Sequence, residues 1–375
     1  MTTLENTPLT AEPQHELSTE QLRKLERKDV LNLPADDRLR WFASITFAHG
    51  HMNTVMKQLH ELLDPNNDIK IIALIGPTGI GKTTLLDKCI ASIVNKYAPV
   101  RLAHEVPVAV VSAPANGERS FSWKTLYRRM QLACGGVLLD QQRSAVVSNG
   151  ELVSVRADRT SLAFRREMLE QEIKRRNVRV LAIDECLHLL RFGHSDAMMD
   201  TLKSLADINP GTKLLLTGTY QIADLMDTYG QLARRSEVLH YRRYKISDSP
   251  NDDSPTDDER EFRDVIRRIA EHWPCEQVPN LDDTWQTLMR ASLGSVGLLK
   301  SQLTQLASLQ MKRKGEVFNP KDALKAFKAS KMLNRIETEI VEGEERLKGS
   351  CYGEAELDCS EGLENWLHKL GKRRA

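Results

Sequence analysis

The chain has 375 residues, of which 41% are hydrophobic, 28% charged and 5% aromatic, a composition typical of a globular protein with one large or two smaller domains. A net charge of +1 excludes a global positive field, so any affinity for nucleic acid must come from local patches. The six cysteines form no C-x-x-C pair, and no apolar run reaches roughly 18 residues, which predicts a cytoplasmic protein with reduced thiols and no membrane contact.

The N-terminal part of the chain divides into an arm and a helical lead-in. Residues 1–35 are polar and contain prolines, which predicts a flexible arm with one short amphipathic piece from Thr19. Two helices are predicted next, beginning near Asp36 and His51, because their apolar residues recur at helical spacing. They open a predicted α/β core of residues 36–247.

A phosphate-binding pattern follows the first predicted strand of the core, Ile71-Ile-Ala-Leu-Ile75. The sequence after it fits G-x-x-x-x-G-K-[ST] at every fixed position and continues into helical apolar spacing. Glycines allow successive backbone N–H groups to face a phosphate, and the helix N-terminus adds positive charge. We therefore predict an ATP site, against the alternative of a glycine-rich turn that binds nothing. Its residues are Gly76, Pro77, Thr78, Gly79, Ile80, Gly81, Lys82, Thr83 and Thr84.

Roles within this loop follow from the chemistry of its last residues. Lys82 would reach the β and γ phosphates of ATP, and the Thr83 hydroxyl would hold Mg²⁺.

Basic elements follow the second predicted strand, residues 106–114. A helix starting near Phe121 and a β-hairpin over residues 143–159, turning at Asn149-Gly150, both carry arginines. Such cations would neutralise DNA phosphates without reading sequence, or would form a solvated charged face. The candidates for double-stranded DNA are Arg119, Lys124, Arg128, Arg129, Arg143, Arg156 and Arg159.

Two further predicted strands end in polar residues. Val178–Ile183 leads into Asp184 and Glu185, and the strand from Lys213 leads into Thr217 and Thr219. Strands alternating with helices predict a parallel sheet covered on both faces, which binds ligands at the carboxyl ends of its strands. Asp184 would then order Mg²⁺, Glu185 would act as general base on water, and either threonine would sense the γ-phosphate. An acidic turn and a polar strand end are the alternative interpretations.

Paired arginines and a helical region complete the prediction. Arg234 or Arg235 would reach the γ-phosphate of a neighbouring subunit, the other being a solvated cation. Beyond an acidic, proline-broken linker at residues 248–258, only helical patterns recur, which predicts a small α-helical lid domain at 259–334 and a polar tail at 335–375.

These features together resemble the AAA+ ATPases of DNA transposition, the TniB/TnsC group related to the phage MuB protein. The likeness covers roughly residues 35–335 and rests on the helical lead-in (Arg38-Leu-Arg-Trp-Phe and Leu59-His-Glu-Leu-Leu), the phosphate loop and three further runs. These are Val180-Leu-Ala-Ile-Asp-Glu-Cys-Leu-His-Leu-Leu, Leu216-Thr-Gly-Thr and Gln231-Leu-Ala-Arg-Arg. The resemblance implies ATP-dependent rings or filaments on double-stranded DNA. It also implies recruitment of a DDE transposase (TniA/TnsB-like) and of a target selector (TniQ/TnsD-like).

One departure from that family concerns the lid. Where related ATPases often carry an arginine after a glycine, this chain has Gly294-Ser-Val-Gly-Leu-Leu-Lys300, so its nearest cation is Lys300. We therefore expect a slow, regulatory ATPase that controls transposition. The alternatives are a nucleotide-gated interaction switch with little turnover and an AAA+ ATPase of secretion or signalling without DNA dependence.

Overall fold

The structure is a computed structural model that describes residues 17–114, 121–136, 143–148, 151–156, 161–190, 195–223, 235–247, 255–348 and 350–352. The chain forms two compact units, each discontinuous in sequence. The α/β unit comprises His49–Arg243 and Asn334–Ala375, and the helical unit comprises Met1–Ala48 and Tyr244–Leu333.

A parallel five-stranded sheet forms the centre of the α/β unit. The described strands are β1 (Ile71–Ile75), β2 (Val108–Ser112), β3 (Arg143–Ser148), β4 (Glu151–Arg156), β5 (Val180–Asp184), β6 (Lys213–Gly218) and β7 (Ser236–His240). The sheet order is β2-β5-β6-β1-β7, and all its pairings are parallel. Every residue of β1, β5 and β6 is buried, as expected for strands covered on both faces.

The register of the sheet brings the ends of three strands to one edge. Ile75 at the end of β1 lies opposite Gly218 at the end of β6 and His240 at the end of β7. The phosphate loop and the segments after β5 and β6 therefore share the carboxyl edge of the sheet. This is the edge at which ligands bind in parallel sheets.

Helices cover this sheet. Those described in the α/β unit are α4 (Gly50–Leu62), α5 (Lys82–Tyr97), α6 (Trp123–Ala133), α7 (Leu162–Arg175), α8 (Leu187–Leu190) and α9 (Ser195–Ala206). A further helix, α14 (Ser330–Leu347), begins in the helical unit and has most of its length in the α/β unit. Leu59 and Leu62 of α4 and Leu85 and Leu86 of α5 pack with sheet residues in one buried cluster. Helical apolar spacing thus forms these contacts as predicted.

The predicted β-hairpin is present as a separate two-stranded antiparallel sheet of β3 and β4. Its register pairs Ser148 with Glu151 at the turn and Arg143 with Arg156 at the open end. Asn149 and Gly150, the predicted turn, lie outside the described residues.

The helical unit has its own apolar core. Its described α-helices besides the start of α14 are α1 (Thr19–Arg23), α2 (Arg27–Val30), α3 (Ala35–Ser44), α10 (Asp257–Glu271), α11 (Trp285–Ala291), α12 (Val296–Met311) and α13 (Ala323–Ala326). A capping box begins α10, because Thr256 Oγ1 accepts from Glu259 N and Glu259 Oε2 accepts from Thr256 N. Phe42 of α3 and Trp273 beyond α10 meet edge to face in the buried core. The prediction of a helical region after the sheet is confirmed.

The N-terminal segment differs from the predicted flexible arm of residues 1–35. Residues 19–30 contain α1 and α2, and Leu22 and Val30 are fully buried in the core of the helical unit. Short helices of this kind show little apolar periodicity, and tertiary packing supplies their stability. Residues 1–16 lie outside the described part of the chain.

Two more differences concern the end of the sheet and the end of the chain. Ser236–His240 was not predicted to be a strand but forms the edge strand β7. Residues 335–347 were assigned to a polar tail but belong to the helix α14. Residues 248–254 of the acidic linker are not described. Among the described residues, the helices are too short or too polar to cross a membrane.

Candidate functional site

The phosphate loop lies at the carboxyl end of β1 and has little room beneath it. A Cβ atom added to Gly76 would lie 2.6 Å from the Tyr241 carbonyl oxygen, so glycine is required by close backbone approach. Gly79 and Gly81 have φ angles of 83° and 108°, in the left-handed region that favours glycine. Gly81 is also the N-cap of α5, so the loop leads directly into a helix N-terminus.

Lys82 folds back over this loop. Its Nζ donates to the Gly76 and Pro77 carbonyl oxygens at 2.9 Å each, which holds the ammonium group within the loop. Burial lowers the pKa of Lys82 to about 8, and the Asp184 carboxylate opposes this shift. A bound phosphate would favour the charged form in the same way, so the lysine suits an anionic ligand.

A hydrogen-bonded group of side chains joins the helix after the loop to β5 and β6. The Thr83 hydroxyl donates to Asp184 Oδ2 at 3.1 Å, and the Thr217 hydroxyl donates to Asp184 Oδ1. Asp184 is 9% exposed and Thr217 is fully buried. Hydroxyl and carboxylate oxygens are the ligands that Mg²⁺ prefers, so Thr83 and Asp184 fit the predicted magnesium site.

Glu185 follows directly and has an unusual backbone. Its φ angle of 55° lies in the left-handed region, and its backbone N donates to Asp184 Oδ1 at 2.9 Å. A non-glycine residue in this conformation costs about 1–3 kcal/mol, and such strain is concentrated at functional sites. The residue is exposed at the carboxyl edge of the sheet, where a base would meet water.

The remaining predicted catalytic residues lie differently. Thr219 follows β6 and is half-buried, with its carbonyl accepting from Ile222 N at 3.1 Å. Arg235 precedes β7, and its carbonyl accepts from Lys70 N and Ile71 N at the opposite edge of the sheet from the loop. Since strands of five residues span about 16 Å, Arg235 is remote from the loop of its own subunit. Its Nη1 lies 3.5 Å from Asp207 Oδ1. Arg234 lies outside the described residues.

The predicted DNA-contacting residues are distributed over two elements. Lys124 and Arg128 lie one turn apart on α6, and Arg129 Nη1 donates to the Ser112 carbonyl at 3.1 Å. Arg143 and Arg156 are direct cross-strand partners in the hairpin. Arg119 and Arg159 lie outside the described residues.

Lys300, the cation nearest the missing lid arginine, is half-buried within the helical unit itself. Its Nζ lies 3.4 Å from the centroid of the Phe42 ring and 5.0 Å from that of Phe47, and it donates to the Phe42 carbonyl. Burial lowers the pKa of Lys300 to about 7. The Lys300 side chain therefore contributes to the packing of its own unit.

This burial predicts a pH dependence of stability. Below about pH 7, Lys300 is charged in both the folded and the unfolded chain, and the full cost of burying the charge is present. Between that value and the ordinary 10.5, only the folded chain loses the proton, so stability rises with pH by at most about 1.4 kcal/mol per unit. The thermal midpoint of the wild type should therefore rise from pH 7 to 9 relative to Lys300→Met. Parallel profiles for the two proteins would contradict the assignment.

One residue that shapes the loop was not predicted from the sequence. Tyr241 follows β7, its carbonyl closes the space beneath Gly76, and its hydroxyl lies 3.0 Å from His49 Nε2. The only signal was the alternation in Ser236–Tyr241, which is short and interrupted by charge.

Comparisons with known proteins agree with this geometry. Residues 66–226 match a family model described as an AAA domain. The Aeropyrum pernix ORC1 protein in complex with DNA is similar at 14% identity and TM-score 0.51, with coverage of 76% of this chain and 68% of that chain. The A. pernix ORC2 protein in its ADP form is similar at 15% identity and TM-score 0.47, with coverage of 74% of this chain and 66% of that chain. Drosophila ORC bound to DNA is similar at 14% identity and TM-score 0.49, with coverage of 100% of this chain and 88% of that chain. This chain thus spans about two thirds of each archaeal protein. No curated protein sequence matches the chain.

The fold is therefore that of an AAA+ P-loop NTPase. The family model covers the phosphate loop and Asp184, and both lie at the carboxyl edge of the five-stranded parallel sheet.

Proposed function

We propose that the protein is a slow, regulatory AAA+ ATPase that controls DNA transposition. The observation that carries the nucleotide part is the Thr83–Asp184 contact, which joins a complete phosphate loop to the acidic end of β5. The transposition part is supported by the resemblance of the runs at Asp184-Glu185, Leu216-Thr-Gly-Thr and Gln231-Leu-Ala-Arg-Arg to the TniB/TnsC group. A chain of this fold is in complex with DNA in the A. pernix ORC1 structure, so the fold is compatible with the DNA part.

Nucleotide binding in this proposal uses the loop and its helix. Backbone N–H groups of the loop and the N-terminus of α5 face the triphosphate, and the Lys82 ammonium exchanges its carbonyl partners for phosphate oxygens. Thr83 and Asp184 would hold Mg²⁺, which would offset the negative charge of the phosphates. Thr217 keeps the Asp184 carboxylate oriented by its hydrogen bond.

Hydrolysis in this proposal depends on Glu185. Its carboxylate accepts a proton from water as the water oxygen bonds to the γ-phosphorus, and the bond to the β,γ-bridging oxygen breaks to release ADP. Arg234 or Arg235 of a neighbouring copy offsets the charge that develops on the γ-phosphate. Arg235 is remote from its own loop, which favours such a role between subunits over one within a subunit.

Partners in this proposal follow from the resemblance. The protein forms a ring or filament with ATP on double-stranded DNA and links a TniQ/TnsD-like target selector to a TniA/TnsB-like DDE transposase. Lys124, Arg128 and Arg129 on α6 are the first candidates for phosphate contact, followed by the hairpin arginines Arg143 and Arg156.

Co-sedimentation with double-stranded DNA tests this proposal. The protein should bind DNA with a non-hydrolysed ATP analogue and lose most of that binding with ADP or without nucleotide. Equal binding to DNA with the ATP analogue, with ADP and without nucleotide would contradict ATP-dependent assembly. A complete lack of binding in every nucleotide state would exclude the DNA-dependent function.

The α6 cations give a sharper expectation. The double substitution Lys124→Ala with Arg128→Ala should weaken DNA binding about tenfold or more at moderate salt. It should also make the slope of log affinity against log salt concentration shallower by about two, because two phosphate contacts are lost. ATP binding should be unchanged, because neither residue belongs to the phosphate loop. The matched control is Lys57→Ala with Lys96→Ala, which removes the same charge from α4 and α5. An equal loss of DNA affinity in both double variants would indicate that only the net charge of the protein matters, and not the position of the α6 cations.

A second function is favoured by the burial of Lys300 against Phe42 and Phe47. Without a lid cation the protein would act as a nucleotide-gated switch that turns over little. Steady-state phosphate release with and without DNA separates the two: stimulation by DNA supports the ATPase, and negligible release in both conditions supports the switch.

A further inference from the structure

The last described helix, α14, packs one face against the α/β unit. Ile340 and Leu347 are 3% and 1% exposed, and Gly343 and Glu344 lie between them on the same face. Further toward the N-terminus of α14 the side chains are mostly exposed. The contact with the unit is therefore confined to the last two turns.

Gly343 allows the closest approach in this contact. A Cβ atom built on it would lie 2.1 Å from Cγ and 2.3 Å from Cδ2 of Tyr220. Glycine within a helix costs about 1 kcal/mol relative to alanine, so its presence needs a local reason. The Tyr220 ring, itself 6% exposed, fills the space where a side chain would stand.

An ion pair and a backbone contact fix the helix in this position. Arg243 Nε donates to Glu344 Oε1 at 3.0 Å, and the two side chains are 14% and 11% exposed. Beyond the helix, Tyr352 N donates to the Val238 carbonyl at 2.8 Å, on the edge strand β7. These contacts make the end of α14 part of the α/β unit.

Tyr220 connects this helix to the candidate site. It lies three residues after Thr217, whose hydroxyl donates to Asp184, and its carbonyl accepts from Ala223 N at 3.0 Å. Its ring packs edge to face on His240, with centroids 5.7 Å apart. The ring is thus held between the end of β7 and the backbone of α14 at Gly343.

We propose that Tyr220 is a positioning residue through which α14 holds the end of β6 so that Thr217 orients the Asp184 carboxylate. The proposal rests on the proposed ATPase function. It assigns a role in turnover to residues 340–348 and 350–352, which the sequence predicts to be part of a polar tail. The ring, rather than the hydroxyl, carries the contact, since the hydroxyl lies 3.5 Å from His240 Nε2 while the ring meets Gly343 directly.

Steady-state kinetics of full-length variants tests the proposal. Gly343→Ala should lower kcat for ATP about 10- to 100-fold, because small displacements of reacting groups have effects of this size, while the Kd of a fluorescent ATP analogue changes less than about threefold. Tyr220→Phe should keep kcat near that of the wild type. Tyr220→Ala should lower it, and adding Gly343→Ala to Tyr220→Ala should cause little further loss, since the ring that the new methyl group meets is gone.

Matched controls and an exchange measurement separate the outcomes. Glu344→Gln should lower kcat, whereas Glu342→Gln on the exposed face should not. Hydrogen exchange of the 216–220 and 340–347 amides should slow together when the ATP analogue binds the wild type. In Gly343→Ala, the analogue should no longer slow exchange in both segments together. Nucleotide binding without any change in these amides, or unchanged kcat in Gly343→Ala, would overturn the positioning role. Failure of the wild type to bind nucleotide would instead refute the proposed function.

Discussion

Lys82→Ala is expected to weaken ATP binding severely. The Lys82 ammonium lies within the loop on the Gly76 and Pro77 carbonyl oxygens and can turn to phosphate oxygens over a short path. Hydrogen bonds to a charged group contribute about 1.5–3 kcal/mol each, so the loss of two would weaken Kd about 10²- to 10⁴-fold. Titration with a fluorescent ATP analogue measures this directly.

The pH dependence of the same titration gives an internal check. Burial lowers the pKa of Lys82 to about 8, so above that pH the wild type must take up a proton to bind the triphosphate. Wild-type affinity should therefore fall as pH rises above 8, and Lys82→Ala should lack this dependence. Lys96→Ala, at the far end of the same helix, is the control and should bind like the wild type. Binding by Lys82→Ala within threefold of the wild type would remove Lys82 from the site.

Glu185→Gln is expected to bind ATP normally and to lose turnover about 10²- to 10⁴-fold, the usual contribution of a general base. The amide keeps the size of the side chain and leaves the backbone contact of Glu185 N with Asp184 unchanged. The variant should accumulate in its ATP-bound state and retain nucleotide-dependent DNA binding. Phosphate release and analogue affinity, measured on the same preparation, separate the two effects.

The control for this substitution is Glu61→Gln, an exposed carboxylate near the end of α4. It removes the same charge and should leave turnover unchanged. Turnover of Glu185→Gln at the wild-type rate would exclude Glu185 as the base. A parallel loss of binding would instead indicate that the strained backbone at Glu185 depends on the carboxylate.

The sheet was predictable because its strands are continuous apolar runs. Ile71–Ile75, Val180–Asp184 and Lys213–Gly218 are buried along their whole length, and such runs separated by helical patterns indicate a covered parallel sheet. The edge strand Ser236–His240 was missed because it mixes buried and half-buried residues over only five positions. Its pairing with β1 is a tertiary contact, which local sequence does not encode.

The site was predictable to the extent that its chemistry is local. Gly76–Thr84 is contiguous, and Asp184-Glu185 ends an apolar strand, so both were identified from sequence spacing. The direct contact of Thr217 with Asp184 was not, because it depends on β6 lying beside β5. The roles of Tyr241 beneath Gly76 and of Tyr220 against Gly343 required coordinates, since each joins residues far apart in sequence.

The discontinuity of the helical unit has a consequence during synthesis. Leu22, Trp41 and Phe42 leave the ribosome early, but the unit resumes only at Tyr244, where partners such as Phe262 begin to be added. At about 5–20 residues per second, these apolar side chains wait about 10–40 s for their core. The first segment of the α/β unit, His49–Arg243, is made between the two halves. Newly made chains therefore expose an apolar, aggregation-prone N-terminal segment throughout that interval. A chaperone that binds this segment would raise the yield of native protein.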